Sequence, residues 1–551
     1  MRLLRPTRIV FILAILASSV LPLASGGALA QEGTWGIELA PGIEYKIFNL
    51  PDPNRVFVSR LDRRNPNVTI EGLLADGVIW DENPADTRET VRSMFNQSEG
   101  ALGFWGKQWG TRMDAVVGIN GFFTVGRYDP TLASGHVQSG WYTRHFTELQ
   151  SMSGFVWKQD STSSFAQCIY HNENKQRVRF LDQNDVYQKF HNVNVTRGDN
   201  QMILYTNQYG TSTRTNDDGA EVLIELRRPL GTLPAVEGII RQIRTNVGNT
   251  EIPFDHIVLS ANGDPVESLV GKAHIGERVS ISQEITNCNY VPGTERTDWT
   301  NTYTAIGVDK YILKNNIVQV IQDVARQPMT AIASNENFVF FIVVDGREPG
   351  VSRGMSNYEI AQFAKNTLLA ADAATLDGGG SSTMVINGTV INHTTCNFTD
   401  CSQPSAVMET DSTGLLMETI DPADASVSQT MGMWSEDIQE YEAIVPNGLM
   451  MVAVEPPVRF NAFPAGSTAQ VFTQTPLRHG PGNNYDRLTT IDPGETGSVP
   501  VMVLETANNM NGIFVHGFFW WKVSYGGQEG WAPLDVTQAD LPNQVYLPVI
   551  R

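Results

Sequence analysis

The sequence predicts an α+β fold with strands in the majority: a large, strand-rich mixed domain with few helices, followed by a small all-β barrel. Three observations carry this. Short apolar stretches at period two, or in unbroken runs of a few residues, recur along most of the 551-residue chain. Helical periodicity is confined to two segments. The C-terminal part is punctuated by closely spaced Gly, Pro and Trp.

Residues 1–30 have the pattern of an export signal. Arg2, Arg5 and Arg8 give a basic start, residues 9–21 are apolar but short for a membrane span, and Ala28-Leu29-Ala30 is a small-residue cleavage site. An uncleaved anchor is the alternative. No later stretch is long and apolar enough to cross a bilayer, so the expectation is a secreted or cell-surface protein cleaved near Ala30, with no transmembrane anchor. Strand signals then fall at 45–48, 56–60, 68–73, 116–119, 155–158, 202–205, 222–226, 239–245 and 338–344, separated by Gly, Asn and Asp clusters. Helical patterns occupy 86–95 and 356–374, the second opened by a capping pair, Ser356 and Glu359.

Residues 409–441, rich in Ser, Thr, Asp and Glu, form an expected surface insertion. An apolar strand at 448–454 and Glu455-Pro456-Pro457 close a large domain spanning 31–457. A smaller unit follows at 466–537, and then a tail at 538–551 whose apolar end suits a final strand.

With 59 acidic against 39 basic residues, the chain has no general attraction for nucleic acid or anionic membranes. Any phosphate it binds must be held by a local set of donors. Cys168, Cys288, Cys396 and Cys401 allow two bridges in an oxidising compartment, with Cys396 and Cys401 the natural local pair. No CxxC spacing supports a zinc site. Asp377, Asp345 and Asn120 are hard oxygen donors, but their spacing fits no known metal loop, and neither metal nor cofactor is expected.

The most informative stretch is Leu376-Asp377-Gly378-Gly379-Gly380-Ser381-Ser382-Thr383. Three consecutive glycines let a ligand approach the backbone, and their amides can turn together into a concavity for anionic oxygen. A helical pattern running into Leu376 and an apolar run after Ser382 place the acid on a tight bend between ordered elements.

Together with three other patches, this stretch resembles the phosphodiester glycosidase family. The patches are Gly118-Ile119-Asn120-Gly121-Phe122-Phe123, Thr330-Ala331-Ile332-Ala333, and Val343-Val344-Asp345-Gly346-Arg347 with Ser352 and Gly354 just beyond. The resemblance extends over roughly residues 40 to 455, with the acidic insertion as an interruption. It implies cleavage of a glycosyl phosphate, which needs help for an oxocarbenium-like centre and for charge on the departing phosphate. Asp377 is then assigned to the sugar or the attacking water. Gly378, Gly379, Gly380, Ser381 and Ser382 are assigned to the phosphate, with Gly121 and Arg347 as further binding residues. Asn120 is a second-side hydrogen-bonding residue, Thr330 a lining hydroxyl and Asp345 a further acid, although a strand-end Asp-Gly is also a common turn. Glu359 belongs to the helix cap.

The family has Arg directly before Thr-Ala-Ile; here that residue is Met329. Arg326, Arg347 and Arg127 are the bases nearest in sequence that can stand in for it. A catalytically weakened glycan- or wall-binding protein, or a glycosidase acting on a linkage without phosphate, are the alternatives left open.

The smaller unit resembles the bacterial SH3-like domain through Leu477-Arg478-His479-Gly480-Pro481-Gly482, Tyr485, Pro493-Gly494-Glu495-Thr496 and Gly527-Gln528-Glu529-Gly530-Trp531. The resemblance implies a small barrel closed by the Gly-Trp pair, and a wall- or glycan-binding role. Trp520, Trp521 and Trp531 either stack on sugars or fill the core, the latter favoured for Trp521 and Trp531.

Overall fold

The computed structural model describes residues 35–79, 88–98, 100–126, 129–132, 135–144, 153–166, 169–171, 176–184, 186–228, 236–282, 285–287, 301–348, 350–395 and 442–534. The signal-like segment, all four cysteines, Arg127, the 409–441 insertion and the 538–551 tail lie outside these. Strands dominate, and among the described residues there are three α-helices, Val91–Ser98, Pro265–Lys272 and Asn357–Asn366. None is long and apolar enough to cross a membrane.

Two antiparallel sheets position the site. The first has eight strands, with Asn54–Asp62, Phe338–Val344, Met329–Ser334, Asp372–Thr375 and Lys310–Lys314 side by side in its middle. Phe338–Val344 is apolar throughout and buried beyond its first residue, as a strand covered on both faces must be. The second sheet is centred on the long strand Gln108–Asn120, flanked by Met384–Ile386 and Asn447–Glu455. Both contribute to one apolar core, in which Phe57, Ile332, Phe341 and Val343 meet Val117, Ile119, Met384 and Met451. The chain leaves the first sheet after Thr375 and enters the second at Met384, so the glycine bend is the crossover between them.

A third, eight-stranded sheet, with Ala220–Leu226 and Val236–Thr245 among its strands, has its own core. Seven short strands between Thr468 and Pro533 form the C-terminal sheet. It is docked on the third sheet: Phe254 packs with Ile513, Trp520 and Trp531, and the Asn508 side-chain amide donates to the Leu226 carbonyl at 2.7 Å. All three tryptophans of the cluster are buried, including Trp520, so none presents a face for stacking on a sugar.

Both helical expectations need correcting. The second helix runs only from Asn357 to Asn366, closed at its start by the Ser356–Glu359 capping box. Leu369 then takes a left-handed backbone (φ +55), and Asp372–Thr375 is a strand. Alanine favours helix by intrinsic propensity, but Ala373 and Ala374 are fully buried between two strands, where only small side chains fit; tertiary packing overrides the propensity. The first helix begins at Val91, because Thr90 caps it (Ser93 N–H to Thr90 Oγ1, 3.1 Å) and Glu89 bridges to Val445.

Candidate functional site

Asn120 ends its strand fully buried, beneath the glycine bend. Its Nδ2 donates to the Asp377 carbonyl at 2.8 Å, and its Oδ1 accepts from Thr330 Oγ1 (2.7 Å) and from the Thr383 amide (3.2 Å). One side chain from the second sheet therefore ties both ends of the bend to a strand of the first. The Asp377 amide donates to the Gly121 carbonyl at 3.0 Å, and the Leu376 amide to the Thr330 carbonyl at 2.8 Å. Gly121 has no room for a Cβ, which would stand 2.3 Å from Asn447 Oδ1; Asn447 in turn accepts from the Phe122 amide at 2.8 Å.

This clamp holds the bend against a cleft of about 560 Å³. Asp377, Gly378, Gly379, Gly380, Ser381 and Arg347 all line it. The Gly379 amide is used internally, donating to the Pro328 carbonyl at 2.9 Å, whereas those of Gly378 and Gly380 have no partner among the described residues. Gly379 has φ +67, and Arg347 Nη2 lies 3.0 Å from where its Cβ would stand. A larger residue there would be strained by the backbone and would displace the guanidinium.

Several expected site residues are therefore placed otherwise. Asn120, Gly121 and Thr330 support the bend from beneath and do not line the cleft. Ser382 is buried, with its hydroxyl turned inward and unpartnered among the described residues. Of the three glycine amides, two remain available. Arg326 is engaged by Glu359 and Asp52 and Arg127 lies outside the described residues; of the three candidate bases, Arg347 is the one that the described residues place beside the bend. Met329 is almost fully buried, its Sδ 3.6 Å from the Cβ position of Gly378.

Sequence reading missed Arg88, Asp309, Lys310, Gln327 and Asn357, which also line the cleft. Arg88 Nε and Asn357 Oδ1 are buried without partners among the described residues. Asp309 and Lys310 sit at the start of the strand Lys310–Lys314, and only sheet register shows that they open towards the bend: Lys310 pairs with Thr375. Asp309 has its carboxyl pushed up by burial, with Lys310 pulling the other way.

Asp345 is neither a turn residue at the surface nor a cleft acid. It is fully buried, its carboxylate 2.9 Å from the Arg55 guanidinium and accepting from the His393 amide at 2.9 Å. Arg55 also reaches Glu348 (2.8 Å), and Glu348 holds His393 Nδ1 at 2.6 Å. Arg347, whose backbone is left-handed (φ +60), donates from Nη1 to the Thr395 carbonyl at 3.1 Å. The neighbours Arg347 and Glu348 thus grip the same 393–395 segment, one from the cleft side and one from the buried side.

Two predictions arise here. Asn120→Ala strips partners from Thr330, Thr383 and Asp377 at once; denaturant unfolding should show a loss of about 2–4 kcal/mol. Burial pushes Asp345 up to about 6, against the opposing pull of Arg55. Unfolded, the group titrates near its ordinary value, so between roughly pH 4 and 6 the folded chain keeps a proton that the unfolded chain releases. This contribution to stability is present at low pH and is lost as pH rises through 6. Relative to Asp345→Asn, wild type should lose on the order of 2–3 kcal/mol between pH 4 and 7 in urea titrations.

Comparison with known proteins bears on the central part of the chain. Residues 273–407 match the phosphodiester glycosidase family model. That span holds Thr330, Asp345, Arg347 and the whole glycine bend; Asn120 lies outside it. No curated protein matches the chain. Among solved structures, a hypothetical protein from Synechocystis aligns with 13% identity and a TM-score of 0.43 over 75% of this chain, which spans 62% of that protein's length. The catalytic domain of zebrafish N-acetylglucosamine-1-phosphodiester alpha-N-acetylglucosaminidase, auto-inhibited by its pro-peptide, aligns with 11% identity and a TM-score of 0.31, covering 64% of this chain and 75% of that one.

Proposed function

We propose that the protein is an exported hydrolase that cleaves a sugar-1-phosphate diester in cell-surface or extracellular glycan. The observation that carries this reading is the pairing of a carboxylate, Asp377, with open amides and the Arg347 guanidinium in one cleft. Arg88 and Lys310 add positive charge on the same walls, which favours an anionic group over a neutral one.

In the proposed reaction the bond between C1 and the phosphate oxygen breaks, and its electrons leave with the phosphate. The Gly378 and Gly380 amides and Arg347 stabilise that charge where it develops. Asp377 supports the cationic C1 and accepts a proton from the attacking water, giving the free sugar and a phosphomonoester. Met329 supplies no cation, and Arg347 fills the role that arginine has before Thr-Ala-Ile in the family.

The strands from Thr468 to Pro533 are proposed to be an SH3-like module for wall or glycan, which would raise local substrate concentration. The test is incubation with synthetic sugar-1-phosphodiesters of several hexoses and N-acetylhexosamines. Free sugar and phosphomonoester are expected in equal amounts from at least one. If every diester stays intact, the enzymatic reading is wrong.

A further inference from the structure

A second cavity, of about 160 Å³, lies where the body of the protein meets the C-terminal sheet. Its position follows from the docking described above: Phe104 comes from the strand Leu102–Trp105 that pairs with the long strand, Trp109 from the start of the long strand, Phe254 from the turn leading into His256–Ala261 of the third sheet, and Tyr485 from the C-terminal unit. The rings meet edge to face in a chain, Phe104 to Trp109 at 5.7 Å, Trp109 to Phe254 at 6.1 Å and Phe254 to Tyr485 at 5.6 Å. Trp109 is only half-buried, and its indole N–H is fixed on the Arg227 carbonyl at 2.8 Å, so the ring is held in one orientation while part of it faces solvent.

The remaining wall is polar and amide-rich, with Gln97, Gln138, Asn207 and Gln208 among its residues. Asn207 Oδ1 is buried with no partner among the described residues. A buried acceptor left unpaired is costly, and a ligand hydroxyl would offset that cost. Among the described residues, three carboxylates line the cavity, Glu71, Asp76 and Asp486, and no Lys or Arg does. Glu71 is already saturated by the Gly72 and Ser139 amides and the Tyr303 hydroxyl. This is the reverse of the cleft around Asp377, where Arg88, Lys310 and Arg347 converge.

We propose that this junction pocket binds a neutral saccharide ring, its C–H face against the aromatic chain and its hydroxyls on Asn207 and the neighbouring amides and carboxylates. Aromatic rings suit the apolar face of a pyranose, and amide and carboxylate groups suit its hydroxyls. The missing cations disfavour phosphorylated or uronic sugars. The proposal does not depend on hydrolysis in the other cleft, but the two share a wall: Pro446 lines the cleft, and its carbonyl accepts from the Ala75 amide (3.1 Å) next to Asp76 of the pocket.

The test is calorimetric titration of the full chain with cellotetraose, maltotetraose, mannotetraose and N-acetylated chitotetraose, alongside oligogalacturonate and de-acetylated chitosan tetramer. At least one neutral tetramer is expected to bind with Kd below about 1 mM. Asn207→Ala, or Asp486→Ala at the exposed rim should the first fail to fold, is expected to weaken it at least tenfold, and Asp377→Asn to leave it unchanged. Four results overturn the proposal: no neutral tetramer binds; binding survives both pocket substitutions; binding is lost in Asp377→Asn; or only the anionic or only the cationic oligomer binds.

Discussion

Asp377→Asn should lower turnover of a sugar-1-phosphodiester by about 10³-fold, with the melting temperature shifted by no more than about 2 °C. The two halves of this expectation have separate causes. The scaffold grips residue 377 by its main chain, through the Gly121 carbonyl and the Asn120 side-chain amide, and both bonds survive in asparagine. Asparagine keeps the shape of the side chain but carries no negative charge to support C1 and no basic oxygen to take a proton from water. Steady-state kinetics with thermal unfolding on the same preparation checks both halves. A variant that unfolds early would assign Asp377 to the framework; one that turns over normally would remove it from the chemistry.

Arg347 should separate activity from stability in the opposite direction. Its guanidinium is the cation packed against Gly379, so Arg347→Ala is expected to lower kcat/KM by about 10²–10³-fold, some 3–4 kcal/mol of transition-state stabilisation. Lysine should recover less than about tenfold of this, because it brings charge without the planar fork that fits two phosphate oxygens. The backbone of Arg347 is left-handed, a conformation that costs a side-chain-bearing residue about 1 kcal/mol and glycine almost nothing. Arg347→Gly should therefore match Arg347→Ala in lost activity while unfolding at a higher denaturant midpoint than Arg347→Ala. Equal midpoints would mean that the strain is not stored there. Unchanged kcat/KM in all three variants would mean that the phosphate is held elsewhere.

Much of this site was legible in the sequence for a definite physical reason. A run of three glycines after an acid has few structural uses, and the ordered patterns on either side, helical before it and apolar after it, mark it as a tight bend; that it crosses from one sheet to the other shows only in the structure. Apolar patterning placed Ile43–Leu50, Asn54–Asp62 and Phe338–Val344 in the first sheet and Val68–Leu74, the end of Gln108–Asn120 and Asn447–Glu455 in the second, but missed Met329–Ser334 and Lys310–Lys314; Ser356 with Glu359 marked the helix start seen in the structure. What sequence could not give was direction. Asn120, Thr330 and Ser382 are polar residues beside the bend, and nothing in their spacing says that they point under it. The same holds for Asp345, whose burial depends on Arg55, some 290 residues earlier in the chain. Arg88 and Lys310 reach the cleft only through sheet register and the bridge from Glu89 to Val445. The helix at 356–374 was overdrawn because alanine serves equally as a helix former and as a small filler between strands.

Cleavage carried out in ¹⁸O-labelled water tests most directly whether this crossover serves a glycosidase. Breaking the bond at C1 puts the label on the anomeric carbon of the released sugar and leaves the phosphomonoester unlabelled. Label in the phosphate would mean attack at phosphorus, with Arg347 and the glycine amides serving a phosphodiesterase instead.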